Sequence, residues 1–321
     1  MALDLSNSRT TPSEPMATLK KTATILVIAF VALALAGSYM SNYALEIGFR
    51  LLLMITLAEA WNLLAGYGGL VSLGTASFIG IGGYALTGLS NYVNMPFALA
   101  IPVAGLAASL MAFVVSKAVF RLRGLYFTVG TLALAEALRL FMVNYAEFGG
   151  ASGIFLAADP PGQLEMYWIA LALLAFTTTV MTAATASRFS ILLRTVRDDE
   201  DAAAQIGVRP FRIKLIAFIL ASSLMGMAGA MQALKLGAVE PYGMFGVQWT
   251  INVLSIVIIG GQGLRAGPVV GAVFVVLLGE FLADYPALHL ALTGTILILV
   301  IRFAQKGLVG FIARLSNPRA S

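Results

Sequence analysis

Residues 187–207 read SRFSILLRTVRDDEDAAAQIG, and they form the one long polar segment between two long apolar ones. Charged side chains alternate with Ile191, Leu192 and Val196, and Gly207 is placed to end a helix. The pattern predicts a short amphipathic helix, or a pair of helices, outside a membrane. From the charges alone, a solvated loop that only orients the protein is an equal alternative, because charge runs between membrane spans are common.

The composition around this segment predicts an all-α, polytopic membrane protein. Of the 321 residues, 60% are hydrophobic and 11% are charged, whereas soluble domains are about a quarter charged. The apolar runs are continuous rather than alternating, and most approach the roughly 20 residues that a helix needs to cross a bilayer. We expect about ten transmembrane segments, at 22–40, 47–66, 71–92, 97–118, 125–145, 166–186, 211–236, 247–262, 267–284 and 287–303.

The distribution of basic residues predicts the orientation. With the N-terminus inside, Arg121, Arg123 and the cluster in 187–210 lie in cytoplasmic loops, while the outer loop 146–165 carries only acidic charges. This asymmetry follows the positive-inside rule and places both termini in the cytoplasm. The expected divisions are a disordered cytoplasmic tail at 1–21, a transmembrane domain at 22–303 and a cytoplasmic tail at 304–321.

Glycine clusters predict broken helices. Residues 63–70 read LLAGYGGL and residues 257–264 read VIIGGQGL, and each precedes another glycine-rich apolar stretch. Small residues let helices approach closely in lipid and allow a helix to break where it lines a cavity. The echo leaves two interpretations open, a duplicated unit or unrelated breaks.

Polar residues within the apolar runs are the candidate path residues, because a charge inside a membrane needs a partner or a role. Glu59 and Asn62 share one face of a helix, and Ser72, Gly74, Thr75 and Ser77 follow the first glycine cluster. Glu136 and Arg139 are three residues apart and are expected to form a structural pair within their own helix.

The same residues argue against several functions. The chain has no cysteine and one histidine, and we find no catalytic or metal-binding grouping, so an enzyme is not expected. No Gly-Lys-Ser/Thr follows the glycines, so the chain is not expected to bind nucleotide itself. The net charge of +5 lies in loops beside spans and gives no reason to expect nucleic acid.

Four stretches together resemble one family, the permease subunits of branched-chain amino acid ABC importers of the LivM type, in the LivH/LivM family. They are WNLLAGYGGLVSLGTASFIGIGGYAL (61–86), RLRGLYFTVGTLALAEALRLF (121–141), RTVRDDEDAAAQIGVRPFRIKLIAFILASSLMGMAGA (194–230) and IIGGQGLRAGPVVGA (258–272). The resemblance implies two cytoplasmic ABC ATPases that use ATP, a second permease of the LivH type, a periplasmic binding protein and the bacterial inner membrane. It also implies that the segment 187–210 is a coupling helix that docks on an ATPase, through Arg197, Asp198, Asp199, Glu200, Ala202, Ala203 and Gly207.

The resemblance has departures that bear on the solute. Many relatives carry Gln where this chain has Leu70 and His where it has Thr75, and both changes remove polar groups near the expected path. Branched-chain or other amino acids are the leading expectation, and urea or short-chain amides are the alternative within the family. A proton-coupled secondary transporter, with Glu59, Glu136 and Glu280 as the relay, is the rival outside it.

Overall fold

The computed structural model of the chain describes residues 27–303 and 307–310, and it is almost entirely helical there. The predicted tail 1–21, and the predicted tail 304–321 apart from 307–310, lie outside these residues. The helices are α1 (Val27–Gly37), α2 (Asn42–Asn62), α3 (Thr75–Val93), α4 (Phe97–Val119), α5 (Leu125–Asn144), α6 (Gln163–Ala186), α7 (Arg188–Asp198), α8 (Glu200–Gln205), α9 (Pro210–Leu236), α10 (Pro241–Met244), α11 (Val247–Gly260), α12 (Gly267–Phe281) and α13 (Pro286–Phe303).

The all-α, polytopic fold is confirmed. Six of the described helical segments are long and apolar enough to cross a bilayer: 42–67, 97–119, 125–144, 163–186, 210–236 and 241–260. α3 has 19 residues but is rich in glycine and serine, and α1 and α12 are shorter than a full span. The count of ten crossings therefore stays a prediction.

The core of the molecule is built from α2, α3, α4 and α9, which pack through glycine and alanine. A Cβ on Gly82 would overlap the carbonyl group of Gly226, and a Cβ on Gly229 would overlap that of Ile79. Hydrophobic burial does not drive helices together in lipid, so close backbone approach of this kind supplies much of the attraction. The glycines thus explain why α3 and α9 cross in direct backbone contact.

The predicted break at the first glycine cluster is present. α2 ends in a π-helical turn over Leu63–Tyr67, and the chain then runs without regular structure until α3 begins at Thr75. Side chains complete the backbone hydrogen bonds of this stretch: Trp61 Nε1 donates to the Ser72 carbonyl at 2.8 Å, and Thr250 Oγ1 donates to that of Leu73 at 3.1 Å. Non-helical backbone at membrane depth needs such partners, because no water is there to replace them.

A small cap closes one end of the bundle. Residues Ile154–Phe155 (β1) pair antiparallel with Ala238–Val239 (β2), just after α9 ends at Gly237. The N-terminal end of α2 and the start of α11 lie at this same end, while the α7–α8 hairpin lies at the other. The loops that the charge pattern assigns to one side of the membrane therefore lie together at one end of the bundle. Those assigned to the other side lie together at the opposite end.

Candidate functional site

The polar segment 187–207 folds into two helices, α7 and α8, joined at Asp199. The Ser187 hydroxyl caps α7 by accepting from the Phe189 amide at 3.3 Å. The Asp199 carboxylate caps α8 by accepting from the Asp201 amide at 3.0 Å and the Ala202 amide at 2.9 Å. Gly207 follows with a φ of +87°, a left-handed conformation that ends the hairpin.

α7 lies directly on the broken end of α2. Arg197 Nη1 donates a hydrogen bond of 3.0 Å to the carbonyl of Gly66. The guanidinium of Arg194 stands 5.1 Å from the centre of the Tyr67 ring, and Leu193 is fully buried beside Gly68. The hairpin is therefore fixed to the helix break by a charged hydrogen bond, a cation–π contact and an apolar contact.

The predicted coupling residues divide into two groups by their contacts. Glu200 forms an ion pair with Lys214 of α9, whose side chain is only 10% exposed, and Ala203 is fully buried. Asp199 is committed to its cap. These residues hold the hairpin in place, and the surface that remains exposed carries Asp198, Ala202 and Gly207.

Two residues of this open surface were missed by the sequence reasoning. Ile191 is 67% exposed and Ile206 is 74% exposed, although both lie on a hairpin outside the apolar bundle. The signal available in the sequence was a large apolar residue within a polar segment. When exposed, such residues mark contact surfaces. Nearby, the hydrogen bond and charge of Asp201 raise the pKa of Arg123, which pairs with that carboxylate at 3.3 Å.

The two glycine loops that echo each other in sequence are in contact. The Asn62 side chain accepts from the Gly263 amide at 2.8 Å and donates to the Leu264 carbonyl at 3.1 Å. In return, Gln262 Nε2 donates to the Ala65 carbonyl at 2.9 Å. We call this set the glycine clasp. A Cβ on Gly66 would lie 2.6 Å from the Gly263 amide nitrogen, so the clasp closes only around glycine.

Glu59 and Asn62 also line a cavity of about 280 Å³ between α2, α6 and the start of α12. Glu59 is buried, and both of its carboxylate oxygens lie 3.1 Å from Thr178 Oγ1. Further polar groups on the wall are Tyr67, Thr182, Thr185 and Arg265. The cavity thus offers a carboxyl group, a guanidinium and several hydroxyls to one small polar molecule. We call it the inner cavity.

The other four predicted path residues lie elsewhere, in and just after the helix break. Ser72 Oγ accepts from the Gly74 amide at 3.2 Å, and Gly74 packs against Thr131 of α5. The hydroxyls of Thr75 and Ser77 are buried without a hydrogen-bond partner among the described residues. The structure therefore does not join these four to Glu59 and Asn62, and their role in a path stays a prediction.

Glu136, Arg139 and Glu280 each have a partner. Arg139 Nε donates to Glu136 at 2.9 Å within α5, and the Arg139 guanidinium also stands 4.8 Å from the centre of the Tyr242 ring. Glu280, near the end of α12, accepts a hydrogen bond from Tyr43. Glu59, Glu136 and Glu280 contact different partners on different helices, and no chain of contacts links them among the described residues.

A second polar opening lies at the opposite end of the bundle from the hairpin, and sequence reasoning missed it as a site. It encloses about 650 Å³ between α2, α9 and the α10–α11 segment. Its polar lining comprises Glu46, Arg50, Gln232, Lys235, Gln248 and Asn252. We call it the outer cleft.

Comparison with known proteins identifies the family. Residues 43–301 match the family model described as branched-chain amino acid transport system / permease component. The high-affinity branched-chain amino acid transport system permease protein LivM of Escherichia coli (strain K12) is 27% identical over an alignment 317 positions long, and the match covers 89% of this chain and 74% of that protein. LivM of Salmonella typhimurium matches with the same identity and coverage. No solved structure matches the chain.

The matched region contains every helix from α2 to α12, and with it the hairpin, the glycine clasp and both cavities. A family model that covers most of a chain establishes membership, and this family consists of transport permeases rather than enzymes. The chain is therefore a multi-pass membrane protein that belongs to the branched-chain amino acid transport permease family.

Proposed function

We propose that the chain is the transmembrane permease subunit of an ATP-binding-cassette importer. It moves a small polar solute inward by alternating access, and that solute is a branched-chain or other amino acid. Its partners are two cytoplasmic ABC ATPases, which bind and hydrolyse the ATP, a second permease of the LivH type and a periplasmic solute-binding protein. The chain itself needs no cofactor. It resides in the bacterial inner membrane with both termini in the cytoplasm.

The observation that carries this proposal is the contact between the α7–α8 hairpin and the broken end of α2. Arg197 binds the Gly66 carbonyl, and the partly buried ion pair of Glu200 and Lys214 ties α8 to α9. A rigid hairpin held at two points moves its attached helices as a unit, which a solvated loop cannot do. A push on the hairpin would reach Gly66 first and then, through the glycine clasp, the loop between α11 and α12.

The open surface of the hairpin has the composition expected of a docking surface for an ATPase. Ile191 and Ile206 project as apolar groups, and Asp198 adds a negative charge between them along the chain. Apolar anchors surrounded by polar groups are the usual form of a contact surface. The inner cavity is lined by Glu59 and Asn62 of α2, the helix whose broken end contacts the hairpin. Movement of the hairpin could therefore change access from this cavity to the cytoplasm.

The experiment is purification of the complete assembly from native membranes with Ile206→Glu or Ile191→Glu in this chain. We expect at least a tenfold fall in co-purified ATPase or in ATP-driven amino acid uptake, because each change alters the docking surface without touching a buried contact of α8. Phe155→Glu, an equally exposed apolar residue on β1 at the other end, is the matched control and leaves ATPase association unchanged. Normal association and uptake with both hairpin variants would refute the docking assignment.

The rival proposal is a proton-coupled transporter, which the buried carboxyl group of Glu59 favours. Purified protein in liposomes would then accumulate solute under a pH gradient without ATP or partner subunits. Uptake of this kind, abolished by Glu59→Gln, would replace the ATP-driven mechanism. Its absence, together with co-purified ATPases, would leave the importer as the mechanism.

A further inference from the structure

The outer cleft carries an excess of positive charge that the fold itself does not use. Lys235 of α9 pairs with Glu46 of α2 at 3.2 Å and lies 5.9 Å from the centre of the Phe49 ring. Arg50 lies one helical turn beyond Glu46 on the same face of α2, and it has no ion-pair or hydrogen-bond partner among the described residues. Glu46 therefore neutralises Lys235, whereas the charge of Arg50 is not neutralised.

The position of Arg50 makes this unneutralised charge significant. Arg50 is eight residues after Asn42, the first residue of α2, and therefore roughly 12 Å along the helix axis. An arginine at such a depth in a membrane helix faces a water-filled cavity or pairs with an anion, because lipid solvates the charge poorly. Arg50 and Asn252 also line a second, much smaller pocket of about 20 Å³, together with Val275.

The remaining walls supply two other kinds of contact. Gln248 donates to Asn252 at 3.0 Å, and these two amides offer both donors and acceptors to a ligand. Phe49, Leu53, Met54 and Trp249 line the apolar side of the same cleft. A ligand that satisfies all three regions has a carboxylate for Arg50, a polar group for the amides and an apolar side chain.

We propose that the outer cleft is the permease's own entry site for the solute, and that Arg50 recognises the solute through its carboxylate. A guanidinium binds a carboxylate through two parallel hydrogen bonds, which neither urea nor a neutral amide can match with a charge. The inference rests on the proposed function, because it assigns the importer's solute to this cleft. It also separates the two solute classes that the family resemblance leaves open, amino acids against urea and amides.

The test uses Trp249 as a reporter of the cleft, in the complete assembly purified in lipid nanodiscs without ATP. L-Leucine and leucinamide are titrated while tryptophan emission is followed, and the same titration of Trp249→Phe identifies the contribution of that residue. We expect leucine to change the Trp249 emission and leucinamide to bind at least tenfold more weakly. The two ligands differ only in the group that faces Arg50.

Variants at Arg50 complete the test. Arg50→Gln is expected to raise the apparent Kd for leucine at least tenfold and to leave that for leucinamide unchanged, and Arg50→Lys falls between Arg50→Gln and the wild type. Arg121→Gln, a cation in the cytoplasmic loop before α5, is the matched control and changes neither value. Size-exclusion elution and the thermal midpoint show whether each variant is folded.

Three results would overturn the inference: equal binding of leucine and leucinamide, unchanged leucine binding in Arg50→Gln, or no Trp249 response to leucine. None of these depends on ATP hydrolysis. If leucine binds through Arg50 but the assembly lacks ATPases, the entry site stands and the ATP-driven mechanism fails.

Discussion

Arg197 is the residue that joins the α7–α8 hairpin to the membrane bundle. Its guanidinium contacts the Gly66 carbonyl and the Asp198 carboxylate, and Gly69 packs against its aliphatic stem. A hydrogen bond from a charged donor to a backbone carbonyl contributes about 1.5–3 kcal/mol. The contact is therefore strong enough to transmit movement, and small enough to be removed without unfolding the bundle.

Arg197→Ala should reduce ATP-driven uptake at least tenfold while the ATPases still co-purify, because the docking surface remains and only its link to α2 is lost. Uptake by reconstituted vesicles and the recovery of ATPase in the same preparation measure the two effects separately. Arg188→Ala, at the exposed first residue of α7, is the control and should retain uptake. Wild-type uptake by Arg197→Ala would show that the force follows another route.

Asn62 is the central residue of the glycine clasp, and its loss should lower stability. Asn62→Leu removes two hydrogen bonds and leaves the Gly263 amide and the Leu264 carbonyl without this partner, at about 1–3 kcal/mol for each buried group. The thermal midpoint in detergent should fall by several degrees. Asn144→Leu, which loses a bond only within α5, should change it little. An unchanged midpoint in Asn62→Leu would mean that the clasp adds no stability.

At the scale of helices, the crossing of α3 and α9 depends on Gly82. An alanine there would push its Cβ into the Gly226 carbonyl, and such overpacking costs about 1–3 kcal/mol. Gly294→Ala in α13 makes the same chemical change in open space, where alanine is the better helix former by about 1 kcal/mol. We expect a lower thermal midpoint for Gly82→Ala and an equal or higher one for Gly294→Ala. The opposite order would contradict the packing argument.

At the scale of the whole molecule, orientation follows from the placement of the polar loops. The chain has no native cysteine, so single cysteines can be labelled without background. Asp159→Cys should react with an impermeant maleimide in cells whose outer membrane alone is permeable. Gln205→Cys, in the hairpin, should react only after the inner membrane is opened. Reversed labelling would invert the proposed topology.

The same method tests where the proposed second permease contacts this chain. Glu136 is 52% exposed on α5, near the middle of that helix, where a charge facing lipid costs about 2.5–3.5 kcal/mol. We therefore expect this face of α5 to contact the second permease or water rather than lipid. Ala137→Cys should cross-link to the second permease or react with a hydrophilic maleimide, whereas Phe176→Cys, on the apolar exposed face of α6, should do neither. Equal behaviour of the two would place α5 in lipid.

The sequence by itself determined the class of fold, the polar hairpin and the break after α2. Continuous apolar runs admit only membrane helices, charges cannot stay in lipid, and clustered glycines weaken a helix, so each of these follows from local composition. The pairing of Glu136 with Arg139 follows equally from their spacing on one helix.

Only the tertiary structure decided which residues act together. Glu59 and Asn62 share a cavity that Ser72 and Thr75 do not reach, because the break turns the chain away after Tyr67. The glycine clasp and the outer cleft join residues about 200 positions apart in the chain. Local sequence patterns do not predict which such distant residues come into contact. Ala203 and Glu200 belong to the hairpin pattern, yet packing on α9 buries one and pairs the other. Burial is a property of the assembled bundle, and it separates the residues that support the hairpin from those that a partner can touch.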